Sequence, residues 1–576
     1  MSQFAAQPIV EVEIYPYEGG PSAFVISSSQ GTLLEATVSK RIHSAQPGSF
    51  TLTLAPGGPG GVTAVRTWAE ICTPMSLVVL KGSRWTHNNV IMIGVVDTAT
   101  ESQEWDAGRK VTRTTTIQGY DFQYYYTQFS YYTLYFLGTT AASALSETVG
   151  AAALPALNNQ GLLHGTPEQV GAAWFNHIMA GKDGILADTV VRYKDKPIPF
   201  GSLMGQYYQS LIADGEFDFI IPMAENFLSS EGSWWDKFSR IFPMPWYEFF
   251  VITAQNDFYK TSATASTMFS VESADPIQAF QQKYSPQMVA RVVPIPRLKY
   301  NQQTQKYTVD TALWDALPSF QLDGHGFIDS NISFDCNEAR NFYVISPITL
   351  YTITGLSSNS INPYLFTLDC VVDVGSIHRY GFRPQIDTTY WLADPKGQAA
   401  QANTANSGNY EQMISSLLLR SVSWYEPTPL MARATVTMEF RPDIMPGCKF
   451  VYAPFKNGEL WEFYIIGYEH HYVFGEATTT TLYLERGLPK YIYDRQDSVS
   501  VTVGGNNASG AFNGASLLTA ILGGYAMRQG SSTKSQLYQV GLPPEVKGQG
   551  IEFLKPQSAY PIMGQIAKIF TTPQAN

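Results

Sequence analysis

Polar and apolar residues alternate at Thr51-Leu52-Thr53-Leu54, and the Gly57-Gly58-Pro59-Gly60-Gly61 run that follows turns the chain. Apolar or β-branched runs recur at 76–80, 90–96 and 111–119, each bounded by turn residues. Short runs of this kind predict the strands of a sandwich or barrel. The pattern then changes: residues 141–182 are rich in Ala and Leu, which predicts helix. Ser233 can cap a helix and Asp236, three residues on, can return the bond. Trp234, Trp235, Phe238, Ile241 and Phe242 follow at helical spacing, giving one apolar face that Pro243 and Pro245 terminate. A strand is expected from Phe249. Mixed strands and long loops are expected over 294–394, and a second all-β region over 421–488.

The fold class expected from these patterns is mainly β with α insertions (α+β, multidomain), with two tube-like antiparallel β-barrel domains plus helical and mixed middle domains. The expected divisions are a first barrel over 1–140, a mostly helical insert over 141–250 and a mixed α/β middle domain over 251–420. The middle domain is one that could lend strands to the second barrel, which is expected over 421–492. Residues 493–576 read as a flexible linker, from the Val503-Gly504-Gly505-Asn506-Asn507 composition, and a tail that orders on a partner.

A faint internal repeat links the two β regions. Strand signals at 50–54, after Pro74, at 91–95 and at 111–119 are matched by those at 434–438, after Pro446, at 463–468 and at 478–484. Gly94 and Gly467 stand in corresponding runs. Two copies of one small barrel in a chain, repeated around a threefold axis, would present six similar barrels and join a threefold object to a sixfold tube.

Composition narrows the function. Of the 576 residues 44% are hydrophobic and only 15% charged, which argues for packed or interfacial surface and against disorder. A net charge of −11 excludes a basic nucleic-acid coat, though not a passage through which nucleic acid slides. The four cysteines form no CxxC pair and no zinc spacing. The N-terminus carries no secretory signal pattern and no apolar run of about 18 residues occurs, so a soluble protein made in a cytoplasm is expected.

Several segments resemble the baseplate hub proteins of phage tails, the group of the T-even hub and the late-control-D-like proteins. Ser233-Trp234-Trp235-Asp236 with Pro243, Pro245, Glu248, Phe249 and Phe250 is similar to the family's helix-then-strand segment. Arg297 after Pro294-Ile295-Pro296 lies where hubs carry an Arg-x-x-Pro strand, here in another order. Arg379-Tyr380-Gly381-Phe382-Arg383-Pro384 resembles the family's Arg-Tyr-Gly-Xaa-Arg signature. The stretch from Ala434 through Pro446-Gly447, Ile465-Ile466-Gly467 and His471 to Leu484-Arg486-Gly487 resembles its closing barrel. The resemblance covers roughly residues 30 to 490. It implies a homotrimer whose barrels form a pseudo-hexameric ring under the tail tube, within the virion, and made in a bacterial cytoplasm. The implied partners are the central spike, the tail tube or an adjoining tube-initiator protein, the tape measure protein and surrounding baseplate proteins, with DNA only passing through the lumen. Val501-Thr502-Val503-Gly504 occurs once and does not recur, so the spike is expected to be a separate chain.

No enzyme, cofactor or metal is expected. His470 and His471, beside Glu469, point to opposite faces of a strand and do not easily share a metal. Asp323-Gly324-His325-Gly326 with Asp329 reads as a turn, and Ser531-Ser532-Thr533-Lys534 lacks the motifs that accompany a catalytic SxxK. The aromatic run from Tyr120 to Phe136, with Tyr124 and Tyr125 at its centre, contains no Lys or Arg and is expected at a seam between subunits. Arg379 and Arg383 around Tyr380-Gly381 are expected to clamp carboxylates of a neighbouring element. The residues expected to matter for structure and assembly are therefore Trp234, Trp235, Phe238, Arg379, Tyr380, Gly381, Arg383, Gly94, Gly467, Tyr124 and Tyr125. Two other readings are a cell-wall-degrading or proteolytic tail component using Asp323–Asp329, and a glycan-binding receptor protein built on the tyrosines.

Overall fold

The structure, a computed structural model, describes residues 8–19, 23–59, 61, 64–84, 87–105, 111–128, 130–132, 162–165, 171, 175, 189–208, 223–226, 231–253, 275–284, 286–301, 306–322, 326–347, 370–389, 420–421, 424–425, 427–456, 458–490, 501–502 and 551–554. Thirteen strands hydrogen-bond into one sheet. In chain order they are β1 (Ile9–Tyr15), β2 (Phe24–Ser27), β3 (Leu33–Arg41), β4 (Ser49–Leu54), β5 (Leu77–Arg84), β6 (His87–Trp105), β7 (Val111–Asp121), β8 (Ser319–Gln321), β9 (Phe327–Phe334), β10 (Ala432–Glu439), β11 (Lys449–Tyr452), β12 (Trp461–Val473) and β13 (Thr479–Pro489). Across the sheet the order is β2-β1-β5-β6-β7-β4-β3-β12-β13-β10-β9, and β11 pairs with both β12 and β8. The fold is mainly β with α insertions.

One unit occurs twice within this sheet. The path β3-β4-β7-β6-β5-β1 corresponds to β9-β10-β13-β12-β11-β8, strand for strand and in the same chain order. Only the last member differs in direction: β8 runs parallel to β11, whereas β1 is antiparallel to β5. Even the irregularities repeat. The register shifts between Leu33 and Glu35 and, in the second unit, between Phe327 and Asp329. It shifts again between Val96 and Thr98 and between Ile465 and Gly467. Met75 and Gly447 both adopt positive φ (67° and 78°). Their N–H groups donate to the carbonyls of Val96 at 2.7 Å and Ile465 at 2.8 Å.

These landmarks align Thr51-Leu52-Thr53-Leu54 with Thr435-Val436-Thr437-Met438. Phe50 lies opposite Gly119 in the first unit and Ala434 opposite Leu484 in the second, so a large residue faces a small one in both, with the sides exchanged. The alignment corrects one expectation. Gly467 corresponds to Thr98, and Gly94 to Phe463, because the bulge fixes the register rather than the glycine. A side chain on Gly94 would strike the Tyr120 carbonyl at 2.1 Å, and one on Gly467 the Lys40 carbonyl at 2.5 Å. The two glycines answer separate close approaches.

The two units do not form separate sheets. β12 has 13 residues and its neighbour β11 only 4. Trp461–Tyr464 pair with β11, and residues 467–473 run past its end with bare N–H and C=O groups on that side. β3 takes this free half-edge, with Gly467 opposite Arg41 and Val473 opposite Glu35.

Among the described residues of 141–250 strands outweigh helix, against the expectation of a mostly helical insert. Strands stand at Leu162–Gly165, Val190–Tyr193, Lys196–Pro199, Gly205–Tyr208, Met223–Asn226 and Glu231–Ser233. The physical reason is local: β-branched and aromatic runs such as Val190-Val191 and Tyr207-Tyr208 prefer a pleated surface, while most of the Ala/Leu-rich stretch lies outside the described residues. The helix Trp234–Ile241 forms with its capping box, Asp236 N–H donating to Ser233 Oγ at 3.1 Å and Ser233 N–H to Asp236 Oδ2 at 3.0 Å. From the tail, Val501–Thr502 and Ile551–Leu554 pair inside the protomer, with Lys306–Asp310 and Cys370–Asp373.

A small sheet of Gly205–Tyr208, Pro286–Val292 and Tyr247–Thr253 packs against both units. Its contact is polar at one point, which sequence reading missed. Glu248 and Arg291, opposite each other on neighbouring strands, are fully buried and bond at 2.6 Å. Tyr464 of the second unit donates to the same Glu248 oxygen at 2.7 Å, and His43, just past β3, sits 2.6 Å from the other. Arg291 also donates to the Gly447 carbonyl at 2.6 Å. Burial alone would raise the Glu248 pKa, but Arg291, His43 and Tyr464 outweigh it and hold it at about 2. A carboxyl depressed in the folded state contributes stability that is present above its unfolded value near 4.5 and lost as pH falls toward 2. Glu248→Gln is expected to cost on the order of 3 kcal/mol at pH 7. Urea midpoints of the two proteins, compared at pH 7, 4.5 and 3, should converge in acid.

Candidate functional site

The repeat makes two half-edges stand out. On the inner seam, β3 meets the second half of β12. The strand equivalent to β3 is β9, at the end of the sheet, and among the described residues its outer edge has no partner. The strand equivalent to β12 is β6. Its first half pairs with β5 and, through Val96, with the Met75–Ser76 backbone, but residues 98–105 pair with β7 on one side and, among the described residues, with no strand on the other. Burial reports the same asymmetry. Leu33 is 0% exposed and its counterpart Phe327 is 45% exposed; Lys40 is 4% exposed and its counterpart Phe334 is 54% exposed. Ile328 is exposed as well. An edge strand that displays large apolar side chains pairs readily with another chain.

The face of the sheet turned away from the core is made of hydroxyls. Alternation places Ser49, Thr51 and Thr53 of β4 beside Thr116 and Gln118 of β7, and Thr435 and Thr437 of β10 beside Thr481 of β13. The hydroxyls bond across strands: Thr437 to Thr481 at 3.1 Å, Ser39 to Ser49 at 3.1 Å, Ser102 to Thr114 at 2.9 Å. Acidic groups on this face, Glu35, Glu104, Asp329, Glu439, Glu469 and Glu485, outnumber the cations Arg41 and Arg433, with Arg84 at the end of β5 paired to Glu439. Arg41 is spent on the Tyr483 ring, 3.9 Å from its centroid, and Arg433 on Glu338, Asp335 and Glu485. The face is polar, mildly acidic and already hydrogen-bonded to itself.

The residues singled out from sequence fall in three places. Trp234, Trp235 and Phe238 are buried inside the protomer, Trp235 lying 4.2 Å from the Phe249 ring, so they hold the fold and face no neighbouring chain. Tyr125 is fully buried and stacks on Phe200 at 4.1 Å, which removes it from a subunit seam or a glycan platform. Tyr124 stays half-buried, stacked on Tyr120 at 5.4 Å. The correction has a plain cause: an uncharged aromatic run serves an intramolecular core as well as an interface. The rest of the run from Phe129 to Phe136 lies outside the described side chains.

Arg379, Tyr380, Gly381 and Arg383 form a brace. Gly381 has φ +77°, and Arg379 lies over the Tyr380 ring at 5.0 Å. Arg383 does not hold carboxylates, as expected from sequence, but backbone: it donates to the carbonyls of Cys336 at 2.6 Å and Tyr380 at 3.2 Å. Asn341 closes the turn, its Oδ1 accepting from Arg383 N–H at 2.7 Å and its Nδ2 donating to the Gly381 carbonyl at 2.6 Å. The carbonyls were invisible in the sequence because any residue supplies them. Cys336 lies two residues beyond β9, so the brace fixes the exit of the unpartnered strand.

The two neighbouring histidines are held apart by the strand. His470 is buried with Thr480 Oγ1 2.9 Å from its Nδ1, and burial pushes its pKa down to about 3. His471 lies on the opposite face, 3.3 Å from Glu35. Among the described residues no group of three could hold a metal ion, and no helix is long and apolar enough to cross a membrane. Asp323, Gly324 and His325 lie outside the described residues, as does Ser531–Lys534.

No protein-family model matches the chain, and no curated protein matches its sequence. Among solved structures it is similar to the tail protein from Neisseria meningitidis, at 10% identity and a TM-score of 0.34, covering 83% of this chain and 96% of that one. It is similar to a prophage tail protein from Listeria monocytogenes at 10% identity and a TM-score of 0.35, covering 83% and 94%. It is also similar to an E. coli type VI secretion component with structural similarity to T4 phage tail proteins, at 7% identity and a TM-score of 0.30, covering 79% and 73%.

Replacing Arg383 by Ala should free the loop after β9. Amide exchange in 327–341 is expected to accelerate at least tenfold, corresponding to about 1–3 kcal/mol of lost local stability, with exchange in β4 and β7 unchanged. Arg383→Lys should restore only part of the protection, since one ammonium cannot span carbonyls as a planar guanidinium does.

Proposed function

We propose that this chain is a structural protein of a phage tail, a hub whose copies close into a ring beneath the tail tube. The observation that carries this reading is the duplicated unit with one seam closed and the matching seam open. The β9 edge on one side and the β6 half-edge on the other, both unpartnered among the described residues, offer complementary backbone groups and differ in sequence. Contacts of that type are head-to-tail, and they produce a ring when the rotation closes. Three copies, the number implied by the resemblance to baseplate hubs, would give six units. A threefold spike could then dock on one side and a sixfold tube on the other. The spike, the tube or a tube-initiator protein, the tape measure protein and the surrounding baseplate are the partners of this reading.

The hydroxyl face supplies the second half of the function. Turned inward, it would line the channel through which DNA leaves. Phosphates passing a net-acidic wall meet repulsion, with no array of lysines to release counterions and hold them. Function here is adaptation and passage, with no bond made or broken.

Light scattering and negative-stain class averages should find a particle of three times 63.8 kDa with a central hole and six lobes. A protein that stays monomeric at all concentrations and in the presence of its spike would overturn the ring. The channel has its own test. Thr51→Lys, Thr116→Lys and Thr481→Lys together should make assembled rings retain DNA at low salt, with retention lost steeply as salt rises. Wild-type rings should retain none, and strong retention by wild type would refute the passive wall.

A further inference from the structure

The repeat specifies how two copies meet at the level of single residues. On the inner seam, Arg41 faces Gly467, Thr37 faces His471 and Glu35 faces Val473. The shared bulges convert each number into its counterpart: Thr37 becomes Asn331 and Glu35 becomes Asp329, while His471 becomes Ser102 and Val473 becomes Glu104. We propose that β9 of one copy pairs antiparallel with residues 98–104 of the next in this register, with Asn331 opposite Ser102 and Asp329 opposite Glu104, and that this carboxylate pair makes closure of the ring depend on ionic strength. The proposal rests on the ring reading above and goes further in fixing the contact and its charge.

The apolar side of the contact favours pairing. Phe334 falls opposite Ala99, a large residue against a small one, in place of the inner pair Lys40 and Tyr468. Ile332 replaces Val38. The other face opposes pairing. On the inner seam Glu35 is relieved by His471 at 3.3 Å. At the outer seam the histidine's place is taken by Ser102, the valine's by Glu104, and among the described residues neither Asp329 nor Glu104 carries an ion pair of its own. Like charges directly opposite on neighbouring strands repel. Three such pairs recur around a trimer, and each is on the polar face, where dissolved ions can screen it.

Two experiments test this. In a Cys336→Ser background, Asn331→Cys with Ser102→Cys should give a disulfide-linked ladder ending at trimer on oxidation, since facing residues on paired strands have the spacing a disulfide needs. Thr37→Cys with His471→Cys is the internal control and should close within one chain. Pairing Asn331→Cys with Thr100→Cys or Glu104→Cys, a slip of two residues on the same face, should give no ladder. A trimer in solution that links only through a slipped pair overturns the register and leaves the hub reading intact. A monomer under every condition removes both. For the charge, sedimentation at increasing salt should show wild-type trimer forming at lower concentration as salt rises. Glu104→Gln should shift the low-salt midpoint down roughly threefold, since about a twofold gain at each of three seams multiplies the trimer association constant about eightfold and the midpoint varies as its square root. Glu104→Lys should reverse the salt dependence. If Glu104→Gln leaves the midpoint unchanged, the carboxylate pair does not form.

Discussion

Everything in this chain hangs on the unequal lengths of β11 and β12. A strand of 13 residues beside one of 4 leaves half of its backbone groups bare on one side. Bare N–H and C=O groups away from water are costly, so something must pair with them. Within the protomer β3 does so, and two units that could each have been a small barrel become one curled sheet. The same inequality in the first unit, β6 running past β5, leaves a second half-edge that has no partner among the described residues. One geometric fact therefore both joins the two units and, among the described residues, leaves an edge unpaired.

The seam is reinforced from beneath by charge. Glu248 and Arg291 come from a third element and reach His43 from the first unit and Tyr464 and Gly447 from the second. A buried pair of this kind adds little net stability over an apolar core, but it penalises any arrangement that leaves one member unpaired. It thus fixes the relation of the two units more sharply than apolar packing would. In the proposed ring that relation would matter, since a small error at each seam accumulates around a circle.

The two faces of the sheet divide the work. The inner face is apolar and continuous with the core, and the other is a lawn of threonine and serine whose hydroxyls satisfy one another. Threonine is well suited to this, being β-branched and strand-favouring while exposing no large apolar surface. Strand propensity and a polar outer surface are met by the same residue.

Much of this was legible in the sequence. Alternation located β4, apolar and β-branched runs located β6, β7, β10, β12 and β13, and the matching order of these signals revealed the duplication, because strand composition is set by neighbours along the chain. Ser233 and Asp236 announced their helix because a capping box is a local bond between near neighbours. What sequence misjudged was non-local. Gly94 and Gly467 looked equivalent until the bulges set the register, and the tyrosine run looked like an interface until Phe200 covered Tyr125. Arg383 looked like a carboxylate clamp, yet its partners are carbonyls that carry no sequence signature. The Glu248–Arg291 knot was unreadable, its members drawn from residues 43, 248, 291, 447 and 464. The sequence by itself determined the strands, their faces and the fact of two copies, because those depend on neighbours along the chain. Only tertiary structure decided which edges were paired and which were left open, because pairing depends on where each strand ends relative to another far away.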